Sequence, residues 1–329
     1  AVFVIITHSY ALVGLPENDG LNRITHGLVS YSQLGLYSFF FFFGFLIYSS
    51  LQRDSDCISF FKKRALRIFP ALVVMIMLTV YVLGPLITIL RFAEYVSNTE
   101  THRYLGGITL YRITYTLPGV FANNPYPHAV NGSLWTLPYE WTCYVLLAAT
   151  FSLIRRRPRL VLTMGICGAL ALRTIVGRFH IMQVIPFLRI DVRQLLLFGT
   201  LFLLGALMYE LRSHLPLKGW IACVAVVTTW LFSDTRAGLY ILLSTLPYLI
   251  IYAAYISVPQ RIAAWFARVD YSYGLYIYAF PLGQTLVMVS NNTLSVSEII
   301  VATIATTLPF AAASWHGIEK PALNLKKVI

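Results

Sequence analysis

Ten runs of mostly apolar residues, each about 15 to 20 residues long, follow one another along this chain of 329 residues. A helix needs about 20 such residues to cross the hydrocarbon core of a bilayer. The runs therefore predict an all-α fold, a polytopic bundle of about ten transmembrane helices. The composition agrees, with 58% hydrophobic and 12% charged residues. The predicted spans are 1–15, 32–51, 71–90, 135–154, 160–176, 193–210, 219–233, 238–256, 270–289 and 297–316.

The intervals between these runs hold no soluble domain, internal repeat or low-complexity linker, which predicts one transmembrane domain over residues 1–329. The chain opens inside an apolar run, with no basic segment or cleavage site before it, so we expect the native N-terminus to lie further upstream. The longest interval, 92–134, contains Gly, Pro, Asn, Tyr and His and predicts a structured loop rather than a disordered one.

Lysine and arginine residues predict the orientation, because cytoplasmic loops carry an excess of them. Of the 25 basic residues, 16 fall in one set of loops, 8 in the opposite set, and Arg173 falls within a span. This bias places loops 52–70 and 155–159 and the C-terminus in the cytoplasm, and the 92–134 loop outside. The basic residues are split among short loops, so nucleic-acid binding is a poor interpretation. The cytoplasmic set includes Arg261, Arg268, Lys326 and Lys327.

The four cysteines are scattered along the chain and form neither a CxxC pair nor a metal-ligand spacing. The sequence therefore predicts no disulfide framework and no metal site. We expect most of them to be packing residues. They are Cys57, Cys143, Cys167 and Cys223.

Two ionisable side chains in or beside apolar runs are candidate functional groups, because a charge within a membrane is costly. His8 lies in the first run and is a candidate general base, since imidazole titrates near neutral pH. The alternative is a structural histidine whose ring forms a hydrogen bond to a backbone carbonyl of a neighbouring helix. Glu140 lies in NGSLWTLPYEW, before a long apolar run. It is a structural partner for an arginine, or it orients and stabilises a catalytic histidine as triad carboxylates do.

The segment FFKKRALRIFP, residues 60–70, places Lys63 and Arg64 at helical spacings from Arg67, so the three share one face of a helix. Pro70 is expected to open or kink the span that follows. The segment is either a topology signal that touches lipid phosphates or a clamp for a phosphate-rich cytoplasmic cosubstrate such as a nucleotide or coenzyme A.

Two aromatic runs each have more than one interpretation. The run SFFFFFGFLIYSS is either simple lipid-facing bulk, or a segment in which Gly44 permits close helix packing or a break in the helix. In DYSYGLYIYAFP, Tyr273 and Tyr276 share a face, which either lines a polar cavity or belongs to an interfacial aromatic belt.

Taken in order, these segments resemble the acyltransferase-3 family of bacterial integral membrane O-acyltransferases. The likeness covers nearly the whole chain. A histidine in the first span (ITHSY) is followed by FFFFFGFLI and then by FFKKRALRIFPAL, which is similar to the family's R-x-x-R-I-x-P. Next comes NGSLWTLPYEW, which is similar to S-L-W-x-L-x-x-E. The last two segments are YSYGLYIYAFP and IEKP. Each motif alone is weak evidence for the family, whereas the occurrence of all of them in this order is specific to it.

The resemblance implies a stand-alone enzyme of the bacterial inner membrane that acylates exopolysaccharide, lipopolysaccharide O-antigen or lipo-oligosaccharide. It implies that His8 is the essential histidine and that Glu140 is a second catalytic group at or near it. Acetyl-CoA would be the acyl donor, and no metal is expected. The donor phosphates would be held by Lys63, Arg64 and Arg67, and Trp135, Tyr273 and Tyr276 are expected to contact the acceptor.

Three departures from the family pattern stand out. The family usually carries an arginine about eleven residues before the histidine, which here would precede residue 1. Tyr278 and Ala279 stand where many members have Trp-His, and Phe42 or Phe43 replaces the serine before Gly44. Two other classes stay open. One is a proton-coupled transporter that uses the same His and Glu, although no inverted repeat is visible. The other is a membrane sensor or scaffold without chemistry.

Overall fold

The structure, a computed structural model, describes residues 1–54, 56–181, 183–186, 188–255 and 269–325. The predicted cytoplasmic residues Arg261, Arg268, Lys326 and Lys327 lie outside the described residues. The chain is an all-α polytopic helix bundle, 75% helical, as the apolar runs predicted. Within the described residues, seven helical segments are long and apolar enough to cross a membrane, and Val2–Leu12 and Gly219–Leu231 are shorter apolar helices.

The chain forms two compact units, and the first combines residues 1–19, 58–136 and the described part of the chain from 269 onward. Its elements are α1 (Val2–Leu12), α4 (Cys57–Leu78, apart from its first residue), a π-helical turn (Thr79–Leu83), α5 (Gly84–Ile87), α6 (Phe92–Ser97), α7 (Thr99–Tyr104), two 3-10 turns (Leu105–Thr109 and Gly132–Thr136), α13 (Ser272–Val289), α14 (Val296–Ser314), a second π-helical turn (Trp315–Glu319) and α15 (Lys320–Asn324).

The second unit combines residues 20–57 with the described residues from 137 to 255. Its elements are α2 (Gly20–Ile24), α3 (Tyr31–Arg53), α8 (Leu137–Arg156), α9 (Pro158–Phe179), α10 (Val192–Leu211), α11 (Gly219–Leu231), α12 (Gly238–Tyr255) and a two-stranded antiparallel sheet of β1 (Val184–Ile185) and β2 (Ile190–Asp191). The expectation of a single transmembrane domain over residues 1–329 stays a prediction.

Each predicted span coincides with a helix, and the largest boundary error lies at the basic segment 60–70. The predicted span began at residue 71, whereas α4 begins at Cys57 and runs through Pro70 without a break. The charged residues therefore lie on the same helix as the apolar span, and Pro70 does not open it. The combined segment Cys57–Ile87 has 31 residues, more than the roughly 20 that cross a bilayer.

The loop 92–134 is structured, as predicted, and Tyr95 anchors it. At the π-helical turn the N–H of Gly84 bonds to Thr79 O, which frees the carbonyl of Val80. The buried Tyr95 hydroxyl donates to that carbonyl over 2.8 Å. A Cβ on Gly84 would lie 1.9 Å from the same hydroxyl, so glycine is needed there. Burial raises the pKa of Tyr95 to about 12.

In the second unit, α3 and α10 pack backbone to backbone through two glycines. A Cβ on Gly44 would lie 1.8 Å from Phe202 O, and a Cβ on Gly205 would lie 2.0 Å from Phe41 O. The helix α3 continues through Gly44, so close packing is the correct one of the sequence interpretations. Small residues permit such approach between membrane helices.

We expect Gly205→Ala to destabilise the protein and Gly199→Ala, on the same helix, to leave it as stable or more so. The first substitution forces α3 and α10 apart, and overpacking of this kind costs about 1–3 kcal/mol or more. The second meets no atom within 4 Å and gains roughly 0.5–1 kcal/mol of helix propensity. The stability of both variants is measured by heating the detergent-solubilised protein and recording the fraction that stays monodisperse at each temperature. Equal behaviour of the two variants would contradict the packing argument.

Candidate active site

The helix that carries His8 ends in a turn that folds the chain back along it. The N–H of Leu15 bonds to Tyr10 O and the N–H of Gly14 to Ala11 O, both over 2.9 Å. This is the hydrogen-bond pattern of a Schellman motif. Gly14 adopts a φ of +82°, and a Cβ there would lie 3.0 Å from Pro125 Cβ. The turn thereby directs residues 15–19 back toward the helix.

Two carboxylates of the returning segment contact side chains of α1. Glu17 Oε1 lies 3.2 Å from His8 Nδ1, and Asp19 Oδ2 accepts a 2.5 Å hydrogen bond from the Thr7 hydroxyl. Thr7 and Asp19 are both 0% exposed, so this pair anchors the segment. The His8 side chain is 19% exposed and that of Glu17 is 48% exposed. The structure thus supplies His8 with a carboxylate that the sequence motifs did not indicate.

A narrow, partly open cleft adjoins His8 in the first unit, and this cavity has room for about one water molecule. Its wall includes His8, Ser133, Tyr276, Ala279, Phe280 and Thr303. The imidazole ring packs edge-on against Phe280, with ring centroids 5.5 Å apart. Ala279 occupies the position where many acyltransferase-3 members have a second histidine, so that histidine has no counterpart in this wall.

The motif NGSLW forms the rim of this cavity through hydrogen bonds to α13. The side chain of Asn131 donates to Ile277 O over 2.8 Å and accepts from the N–H of Ser133 over 3.2 Å. The Tyr276 hydroxyl donates to Ser133 O and also contacts Thr136 Oγ1 at 2.5 Å. Tyr276 therefore lines a cavity, as one sequence interpretation had it, and its hydroxyl also holds the turn.

Arg67 is the centre of an ionic network at the other end of the first unit. Its guanidinium donates to Asp270 over 2.6 Å and to Glu319 over 3.3 Å, and it lies 5.8 Å from the ring centroid of Tyr273. Glu319 is 1% exposed and also accepts from Ser314 over 2.8 Å. The basic segment, the start of α13 and the IEKP motif are thus one cluster, which the separate motifs did not reveal.

The helix α13 links this network to the His8 cavity. Tyr273, beside Arg67, and Phe280, beside His8, are seven residues apart on α13, which corresponds to about 10 Å of helix rise. The hydroxyl of Tyr273 donates to Ile68 O over 2.9 Å. Tyr273 therefore belongs to the surroundings of Arg67, whereas Tyr276 belongs to those of His8.

The other predicted binding residues take these places. Lys63 and Arg64 are half-buried on α4, and the Arg64 guanidinium lies 5.9 Å from the ring centroid of Phe60. Trp135 is half-buried on the 3-10 turn Gly132–Thr136. Their predicted roles toward the donor and the acceptor stay predictions.

Glu140 belongs to the second unit, where it is 4% exposed in the first turn of α8. The hydroxyl of Tyr144, one turn later, donates to Glu140 Oε1. A carboxylate is favoured at this place by the partial positive charge of a helix N-terminus. His8 and Glu140 lie in different units, so the role of Glu140 toward His8 stays a proposal.

Known proteins resemble this chain over nearly its whole length. A family model described as an acyltransferase domain matches residues 1–315. The chain is 28% identical over 332 residues to an O-acetyl transferase of Shigella phage Sf6, covering 97% of this chain and 92% of that protein. It is 29% identical over 351 residues to Nodulation protein 10 of Rhizobium leguminosarum bv. viciae, covering 98% and 90%. No solved structure matches the chain.

The chain belongs to the acyltransferase-3 family, because the family model covers all but its last 14 residues. It is a multi-pass membrane enzyme, an O-acyltransferase.

Proposed function

We propose that this enzyme transfers an acetyl or other short acyl group from acyl-CoA to a hydroxyl of a cell-surface or exported glycan. The acceptor is an exopolysaccharide, a lipopolysaccharide or a lipo-oligosaccharide, and the enzyme lies in the bacterial inner membrane. The observation that carries the proposal is His8, in the wall of a small cavity, with Glu17 at its Nδ1 atom. The phage relative is an O-acetyl transferase, which supports an acetyl group.

The proposed mechanism begins with His8 as the base. If Nδ1–H donates to Glu17, Nε2 is the atom that accepts the proton of the acceptor hydroxyl. The hydroxyl oxygen then forms a C–O bond to the thioester carbon, the C–S bond breaks, and the imidazolium returns the proton to the coenzyme thiolate. The charge of Glu17 stabilises the imidazolium, and we retain Glu140 as a second supporting carboxylate.

Two orders of reaction fit the proposal. In direct transfer, the donor thioester and the glycan hydroxyl meet at His8 in one step. In the other order, His8 takes the acyl group on its own nitrogen, and the two substrates react in turn. Acylated protein after incubation with acetyl-CoA alone would distinguish the second order from the first.

The donor would enter from the cytoplasmic side at Lys63, Arg64 and Arg67. Lys63, Arg64 and Arg67 would hold the donor phosphates together, and Arg67 would do so while in contact with Asp270 and Glu319. The thioester arm would then run along α13, past Tyr273, to the His8 cavity. Trp135 and Tyr276 would contact the acceptor from the cavity rim.

The test is release of free thiol from acetyl-CoA by the protein in nanodiscs, with and without purified bacterial lipopolysaccharide or crude exopolysaccharide. We expect glycan-dependent thiol release together with acetyl ester on the recovered glycan. A protein that neither binds acetyl-CoA nor releases thiol would refute the acyl-CoA donor. Thiol release without ester on either glycan would refute these acceptor classes.

Both alternative classes predict no thiol release. A proton-coupled transporter using His8 and Glu140, or a sensor without chemistry, would leave acetyl-CoA intact. Membership of an acyltransferase family favours the enzyme over both.

A further inference from the structure

A second polar group of the His8 cavity has an unused hydrogen-bonding capacity. Thr303, on α14, lines the cavity and is 2% exposed. Its hydroxyl is buried, and no described residue forms a hydrogen bond with it. A buried hydroxyl without a partner carries a desolvation cost of about 1–3 kcal/mol, so its presence calls for an explanation.

Other threonines of the helices avoid this cost by bonding to the backbone one turn earlier. Thr306, also on α14, donates to Ala302 O over 2.8 Å, and Thr79 donates to Met75 O over 2.8 Å. Thr142 does the same toward Pro138 O over 2.7 Å. Thr303 has the same option toward the preceding turn, and the structure does not use it. Its hydroxyl therefore keeps a hydrogen bond to donate that no described residue accepts.

The cavity wall has three other hydroxyls, those of Ser9, Ser133 and Tyr276, and two of them are already committed. Ser9 donates to Ile5 O over 2.8 Å, and Tyr276 donates to Ser133 O. The thioester carbonyl of a bound acyl group has no proton to donate, so it requires a donor from the protein.

We propose that the Thr303 hydroxyl donates a hydrogen bond to the acyl carbonyl oxygen as negative charge develops on it during transfer. This assignment rests on the proposed function. The nucleophile, either the acceptor oxygen or His8 Nε2, forms its bond to the carbonyl carbon, and the π electron pair moves to oxygen. Thr303 stabilises that oxyanion, which collapses as the C–S bond breaks and the coenzyme thiolate leaves. Thr303 keeps its proton throughout.

The substitution Thr303→Val tests the proposal, because it removes the hydroxyl and keeps the branched shape. We expect kcat to fall roughly tenfold to a hundredfold, since removal of one oxyanion donor costs about 10²–10³ in a preorganised site and a single mobile hydroxyl contributes less. The KM for acetyl-CoA should stay within about twofold, because the interaction strengthens only in the transition state. The same variant should be at least as thermally stable as the natural protein, since an unsatisfied buried group is gone.

Two controls on α14 separate catalysis from structure. Thr307 has an unpartnered buried hydroxyl but is not among the residues of the cavity wall, so Thr307→Val should raise stability and leave kcat unchanged. Thr306→Val removes a satisfied hydrogen bond and should also leave kcat unchanged.

Several results would overturn the role of Thr303. They are an unchanged kcat in Thr303→Val, a rise in KM with constant kcat, or a loss of stability that matches the loss of activity. Absence of thiol release by the natural protein would instead refute the proposed function itself, so the two failures are distinguishable.

Discussion

Replacement of His8 by alanine should reduce acyl transfer by about 10²–10⁴-fold, the range that a general acid–base group contributes. His8 is the side chain in the cavity wall that can both accept and return the transferred proton near neutral pH. Binding of acetyl-CoA should stay within about threefold, because the proposed phosphate contacts lie about 10 Å away along α13. Thiol release and equilibrium binding of radiolabelled acetyl-CoA measure the two quantities. His102→Ala, at an exposed position of α7, is the matched control.

The contact with Glu17 extends this prediction to a double-mutant cycle. Glu17→Ala should lower kcat by roughly tenfold, because it removes the group that orients His8 and stabilises its charged form. If Glu17 acts through His8, the double variant His8→Ala/Glu17→Ala should be no slower than His8→Ala alone. Additive losses would show that Glu17 acts elsewhere. Retention of more than about a third of the natural rate in His8→Ala would contradict the role of His8 itself.

The sequence predicted the helices well because membrane spans are long, apolar and separated by charge. It missed the start of α4, where four basic residues within 60–67 made a helix look like a loop. These residues are tolerated on a helix because Arg67 has two carboxylate partners and Arg64 packs against the Phe60 ring. Neither partnership is visible in the local pattern, since Asp270 and Glu319 lie more than 200 residues further along the chain.

The candidate site was predicted only in part, for a similar reason. His8 stood out as an ionisable residue within an apolar run. Glu17 did not, because its approach to His8 depends on the turn at Gly14. Thr303 looked like any other membrane threonine, and it is distinguished by its missing hydrogen bond together with its place in the cavity wall. One signal was available: the chain holds only 13 acidic residues against 25 basic ones, so an acidic residue beside a motif is infrequent and predicts a specific partner.

We expect Glu319→Ala to destabilise the protein by about 3–5 kcal/mol, the usual result of removing one partner of a buried ion pair. Glu319 is 1% exposed, and its loss leaves both the Arg67 guanidinium and the Ser314 hydroxyl without an acceptor there. Asp270→Asn should cost less, about 1 kcal/mol or below, because the Asp270 side chain is 45% exposed. Thermal unfolding of the purified protein in one detergent compares the two.

The double variant Arg67→Met/Glu319→Met decides what the network is for. Replacing a buried ion pair by apolar residues of similar volume is often neutral or stabilising, so the double variant should be more stable than Glu319→Ala. If Arg67 also contacts the donor, the double variant should still bind acetyl-CoA about tenfold more weakly than the natural protein does. This is the effect of one lost charge-assisted contact of roughly 1.5 kcal/mol. Recovery of both stability and affinity would assign Arg67 to structure alone and leave the phosphates to Lys63 and Arg64. If the double variant were no more stable than Glu319→Ala, the compensation argument would be wrong. An unpaired buried charge would then not be the cause of the instability of Glu319→Ala.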